Sequence, residues 1–301
     1  MKHILYIQPY ASQVGGVDTV LLQLVEGLDR SRYRAFVLLP GPSPYVAKYE
    51  AAGATVLFGQ LAVFGKPTDL FYYPRNLEVV KEFGVKPDKI AVIPHGHYQG
   101  VYGHQGKNYR EIYGIPEDGY VYLFIGAIKP YKGVQQLVES FNRIKSANTY
   151  LVVAGKPSKE MEEVLSRYQG QQNIVMDLRF IPDEEVADII SMCDSFVLPF
   201  QEITTSGSAI LALSFKKPIV IPKTPFVDEY FTPEIASIYD PSKGELLEDA
   251  MKKVQKVDPD QVEPVYEHIL ARLDWKNIAM QLSEIYQNRP APSISRALDK
   301  G

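Results

Sequence analysis

The chain has one cysteine, Cys193, and one tryptophan among its 301 residues, with no strong excess of either charge and no long hydrophobic run. A lone thiol excludes an intramolecular disulfide framework and fits a reducing compartment. Its place at the end of the apolar stretch 186–193 reads as a small buried core residue. Lys plus Arg number 32 against 36 Asp plus Glu, a formal charge of −4, so no global basic field argues for nucleic acid or an anionic surface. No stretch approaches the length of a membrane span, and the apolar run in the opening Met-Lys-His-Ile-Leu-Tyr-Ile-Gln-Pro is too short for a signal peptide. The expected compartment is the cytoplasm. His95 and His97 share a Gly-containing turn, yet no nearby Cys, Asp or third His completes a ligand set, so no metal is expected.

What the chain does have is a 46% hydrophobic content and enough length to bury a sizeable core in two domains. Short apolar runs alternate with amphipathic stretches from end to end, the pattern of parallel sheets covered by helices on both faces. At the amino terminus strands are expected at 3–8, 35–39 and 55–58. Gly15-Gly16 leads into a helix whose stripe is Val17, Val20, Leu21, Leu24 and Leu28. This is the βαβαβ opening of a Rossmann-like domain. Residues 59–76 then show no periodicity, before an expected helix at 77–83 and strand at 89–93. A complete doubly wound half needs about three further βα units of roughly 30 residues each, so this domain reads as truncated.

Further on, strands are expected at 120–126, 149–154, 173–176, 195–199, 218–221 and 236–239. The helices between and after them are expected at 131–146, 159–168, 183–193, 207–215, 244–257, 264–271 and 275–287, with a short one at 109–113. The expected organisation is an abbreviated amino-terminal Rossmann-like domain over 1–96, a carboxyl-terminal Rossmann-like domain over 97–275, and a final helix and tail over 276–301.

Ligands of open parallel sheets bind outside the carboxyl ends of the strands. The turns on that rim carry Lys129, Lys132, Lys156 and the helix start Ser206-Gly207-Ser208, a set that suits a ligand with phosphates. Asp183 is expected to cap its helix, with Glu184 and Glu185 supporting the first turn. Asp228 and Glu229 follow the strand at 218–221.

The ordered blocks Phe124-Ile-Gly-Ala-Ile-Lys-Pro-Tyr-Lys-Gly133, Phe180-Ile-Pro-Asp-Glu-Glu185 and Thr-Thr-Ser-Gly-Ser-Ala at 204–209 resemble the nucleotide-sugar half of family-4 (group 1) glycosyltransferases of the GT-B fold. Ile93-Pro-His-Gly96 is similar to that family's Ile-Pro-Asn-Gly segment, and Val14-Gly-Gly-Val17 to the turn before its first helix. The resemblance implies an α/β fold of two doubly wound parallel-sheet domains and a hexosyltransferase-like activity. A sugar would move from a nucleoside-diphosphate sugar to a hydroxyl of a glycan or lipid-linked acceptor in polysaccharide or glycoconjugate biosynthesis. The donor is a substrate, and no cofactor is implied.

The resemblance also implies roles residue by residue. Gly15, Gly16, Lys129, Lys132, Ser206, Gly207 and Ser208 fall where the donor phosphates bind. Ile181, Glu202, Thr205, Asp228 and Glu229 fall near the nucleobase or sugar, and His95 at the lining of the cleft. Ala127 replaces the family's arginine, and Leu211 stands where many members carry a second, ribose-holding glutamate. A general base would come from the amino-terminal side, and no residue is named for it. A lipid-linked acceptor implies peripheral contact with the inner face of a membrane. The alternative is a nucleotide-sugar-binding protein or partner subunit with little catalysis of its own, because the amino-terminal domain is short.

Overall fold

The structure, a computed structural model, describes residues 2–7, 16–39, 41–58, 94–201 and 206–288. The helix expected at 77–83, the strand expected at 89–93, Gly15, Glu202, Thr205 and the tail 289–301 lie outside the described residues. Those described fall into two compact units, one from residues 2–58, 94–96 and 273–288, the other from 97–272.

In the first unit β1 (Lys2–Ile7), β2 (Tyr33–Leu39) and β3 (Thr55–Phe58) form a parallel sheet in the order β1-β2-β3. Pairing starts at Lys2 with Tyr33 and Phe36 with Thr55. Alternate residues of β2, Tyr33, Ala35, Val37 and Leu39, point into a core shared with α1 (Gly16–Glu26) and α2 (Val46–Ala51). The buried stripe of α1 runs Asp18-Leu21-Val25 and continues to Leu28 just past its end, while the expected Val20 and Leu24 are only half-buried. The helix is rotated because the Asp18 carboxylate has a buried partner, accepting a hydrogen bond from Tyr49 Oη at 3.0 Å. The last helix, α11 (Trp275–Asn288), packs on α1. Gly27 allows that approach, since a Cβ there would lie 2.9 Å from the Ala279 Cβ.

The second unit holds a parallel sheet of β4 (Tyr120–Ile125), β5 (Thr149–Ala154), β6 (Ile174–Asp177), β7 (Ser195–Val197), β8 (Ile219–Pro222) and β9 (Ala236–Tyr239), ordered β6-β5-β4-β7-β8-β9. The chain winds outward from β4 in one direction and then from β7 in the other. The gap between β4 and β7 is thus the topological switch point, where the loops after these strands diverge. Residues 121–125 and 151–154 are buried on both faces, which is why these strands read as continuous apolar runs. Covering helices present i, i+3, i+4, i+7 stripes, as in α4 (Val134–Ile144) with Val134, Leu137, Val138 and Phe141 inside.

Four local expectations need correction. Residues 130–132 form a separate 3₁₀ turn, and α4 starts only after Gly133, whose φ of 68° interrupts the helix. Pro182, not Asp183, occupies the cap position of α6 (Asp183–Ser191), which makes no side-chain cap bond. The helix placed at 264–271 begins at Pro259 and runs to Arg272 with Pro264 inside it. The segment after β8, given no element of its own above, forms a short helix, Pro225–Tyr230, capped by Thr224 accepting from the Val227 amide at 3.3 Å.

Candidate functional site

The best-formed constellation lies at the switch point of the second unit. Strand β4 is followed directly by Gly126, which has φ 134° and carries no side chain over the rim. A Cβ at Gly126 would lie 3.2 Å from Ser208 Oγ and 3.6 Å from Lys132 Nζ, and among the described residues beyond its chain neighbours it would meet nothing else within 4 Å. The loops after β4 and β7 therefore bring a hydroxyl and an ammonium together over a bare backbone.

Each partner is held by its own loop. Lys132 closes the 3₁₀ turn Pro130–Lys132, whose proline suits a first helical position. Gly133 ends that turn against the carbonyl of Pro199, where an added Cβ would come within 2.2 Å of the oxygen. Ser208 sits in the first turn of α7 (Gly207–Ser214) and donates to Ile125 O at 3.3 Å. Ser206 caps that helix, accepting from the Ala209 amide at 3.1 Å. The Gly207 and Ser208 amides have no partner among the described residues and stand at the positive end of the helix dipole.

The electrostatics favour an anion. Among the described residues no carboxylate pairs with Lys132, and its ammonium instead lies 5.3 Å from the centroid of the Phe200 ring. Burial first, and then Lys129, push its pKa down from 10.5 to about 8. The arrangement can take a ligand that brings negative charge of its own.

The other expected residues are placed as follows. Lys129 and Lys156 are exposed at the same rim, after β4 and β5. Ile181 is half-buried in the loop between β6 and α6, beside the exposed Phe180. Asp228 and Glu229 are exposed on the short helix after β8 and are not among the atoms converging on Gly126. Gly16 opens α1 in the first unit. His95 belongs to that unit too, where Nδ1 donates to Gly96 O at 2.7 Å and burial lowers its pKa. The Trp275 indole covers Gly96 so closely that a Cβ there would lie 2.3 Å from the ring.

Two groups were missed from the sequence. Phe200 lies just past the strand expected at 195–199 and drew no role there, although an aromatic after a strand-ending proline can face the neighbouring turn. Arg179 pairs with Asp177 at 2.9 Å and with Glu185, whose pKa it holds at about 2 with help from Tyr109 and Lys107. The Arg-x₅-Glu spacing across a helix start was the available signal.

A parallel sheet with a cationic cluster at its switch point is a doubly wound α/β architecture, whose ligands bind at that point. The chain belongs to the glycosyl transferases group 1 family, whose model matches residues 105–266. It is 27% identical over 144 residues to a GDP-mannose:glycolipid 4-beta-D-mannosyltransferase of Xanthomonas campestris pv. campestris, covering 46% of this chain and 38% of that protein. It is 22% identical over 216 residues to a lipopolysaccharide 1,2-N-acetylglucosaminetransferase of Salmonella typhimurium, covering 66% of this chain and 56% of that protein. The matched part thus spans less than two thirds of these curated relatives.

Among solved structures, HepE of Anabaena in complex with UDP and glucose superposes with a TM-score of 0.72 at 16% identity, covering 96% of this chain and 100% of that one. A glycosyltransferase from Rickettsia africae gives 0.73 at 14% identity, covering 95% and 98%. The fold is the expected α/β class, GT-B-like with two Rossmann-like parallel-sheet units, of which the first shows three strands and the second six among the described residues.

Proposed function

We propose that this chain transfers a sugar from a nucleoside-diphosphate sugar to a hydroxyl of a glycan or lipid-linked acceptor, in polysaccharide or glycoconjugate synthesis. The observation that carries this reading is the convergence of Lys132 Nζ and Ser208 Oγ over Gly126 at the switch point. As the bond from the sugar to the diphosphate breaks, negative charge grows on the leaving group. A desolvated ammonium and the amides of a helix start stabilise that charge more than they stabilise the ground state. The acceptor oxygen forms the new bond to the sugar, and its proton passes to a base.

In this reading Lys132, Ser206, Gly207 and Ser208 hold the diphosphate, with Lys129 adding charge from the rim. Ile181 offers its backbone to the nucleobase, and Asp228 and Glu229 serve the sugar hydroxyls. The donor is the small-molecule partner, and no cofactor is called for. The activities of the Xanthomonas and Salmonella relatives, on a glycolipid and a lipopolysaccharide, support a lipid-linked acceptor. Among the described residues no helix is long and apolar enough to cross a membrane. A lipid-linked acceptor would place the chain peripherally, in the cytoplasm at the inner face of the membrane.

Incubation with a panel of uridine and guanosine diphosphate sugars and a bacterial glycolipid extract tests the reading. Sugar incorporation with release of the nucleoside diphosphate is expected for one donor. Binding without release or incorporation for every donor would instead mark a binding module.

A further inference from the structure

Resting on the reading that Lys132 meets the donor diphosphate, one further residue gains a role. The loop after β7 wraps the lysine turn at three successive positions. The Pro199 carbonyl is pressed against Gly133, and the Gln201 amide donates to Tyr131 O at 2.9 Å. Between these two ties, Phe200 places its ring 5.3 Å from Lys132 Nζ. The ring cannot swing away, because it is 6% exposed and meets the edge of Phe124 at a centroid distance of 6.5 Å and an interplanar angle of 85°.

We propose that Phe200 is a positioning residue that holds the Lys132 ammonium over Gly126 as a charged group without neutralising it. The chemistry distinguishes this from ordinary packing. A carboxylate in this place would pair with the lysine and compete with the incoming phosphates. An aromatic face attracts the cation through its quadrupole and leaves the full charge for the ligand. Among the described residues, the groups that face the ammonium are Phe200 from the loop after β7, Ser208 from α7 and the like-charged Lys129 from its own turn. Among the described residues none of these is an acid. Among the described residues, Phe200 is thus the contact that opposes the burial and repulsion acting on the charged form.

The test compares Phe200→Leu, which keeps apolar bulk without a π face, with Phe200→Tyr, which keeps the face. Phe200→Met is a second face-less variant in case the leucine protein does not fold. The first readout is the pH titration of the Lys132 side chain by NMR without nucleotide. The second is the affinity for UDP and GDP from neutral to alkaline pH. In the face-less variants the lysine is expected to titrate below its value of about 8, and nucleotide affinity to fall on the order of tenfold. Phe200→Tyr restores both. An unchanged lysine titration in a folded Leu or Met variant overturns the proposal, as does a Tyr variant that behaves like Leu. If the parent protein binds neither nucleotide, the donor reading fails, while the titration still decides what Phe200 does to Lys132.

Discussion

The Ser208 hydroxyl lies 3.2 Å from the point where any side chain on Gly126 would begin, so these two residues together set how closely a ligand can approach the end of β4. Gly126→Ala is expected to fill that space and to strain a backbone whose φ of 134° suits glycine alone, at about 1–3 kcal/mol. Calorimetric titration with UDP and GDP, together with thermal unfolding, checks this. Nucleotide affinity should fall at least tenfold, with a modest loss of melting temperature.

Gly207→Val probes the other wall. Its Cβ would lie 3.1 Å from the Tyr98 hydroxyl, and its branches would cover the helix start that is read as a phosphate site. Donor affinity should drop severely while far-UV circular dichroism stays that of the parent. Normal nucleotide-sugar binding in this variant would reduce the Ser206–Ser208 segment to a helix cap.

Much of this architecture is legible in the sequence because buried parallel strands are apolar runs bounded by turns. The strands at 55–58, 149–154 and 236–239 lie where that pattern puts them. The departures are local conflicts between rules. Gly133 stands inside a continuous helical stretch, yet it is left-handed, with no room for a Cβ against Pro199, and splits the element. Pro264 looks like a first helical residue, but Pro259 is the one that starts the helix. Asp18 was passed over as a polar residue in a helical stripe, and only its distant partner Tyr49 explains why it turns inward. At the candidate site, Lys132 and Ser208 stand out by their places after strands. Phe200 does not, because its role depends on a contact between two loops far apart in sequence.

In the first unit, Asp18→Ala is expected to cost about 1–3 kcal/mol, since it leaves the buried Tyr49 hydroxyl without its carboxylate. Urea unfolding followed by circular dichroism measures the loss. Asp18→Asn, which can still accept that hydrogen bond, should lose less.

Lys132 also gives stability a pH signature. Its pKa in the folded chain, about 8, lies below the ordinary 10.5, so between these values the unfolded chain binds more protons and stability rises with pH. Below about pH 8 the buried charge is a fixed cost. Lys132→Met should therefore be more stable than the parent near neutral pH and should lose this rise on the alkaline side. Denaturant melts of both proteins at a series of pH values make the comparison.

The central claim is that Lys132 binds the diphosphate of a sugar nucleotide, and titration of UDP and GDP into the parent and into Lys132→Ala tests it most directly. Removal of one charge-assisted contact should cost roughly 1.5–3 kcal/mol, a weakening of about tenfold or more for whichever nucleotide the parent binds. Equal affinity in a folded Lys132→Ala protein would contradict the assignment and the account of the site built on it.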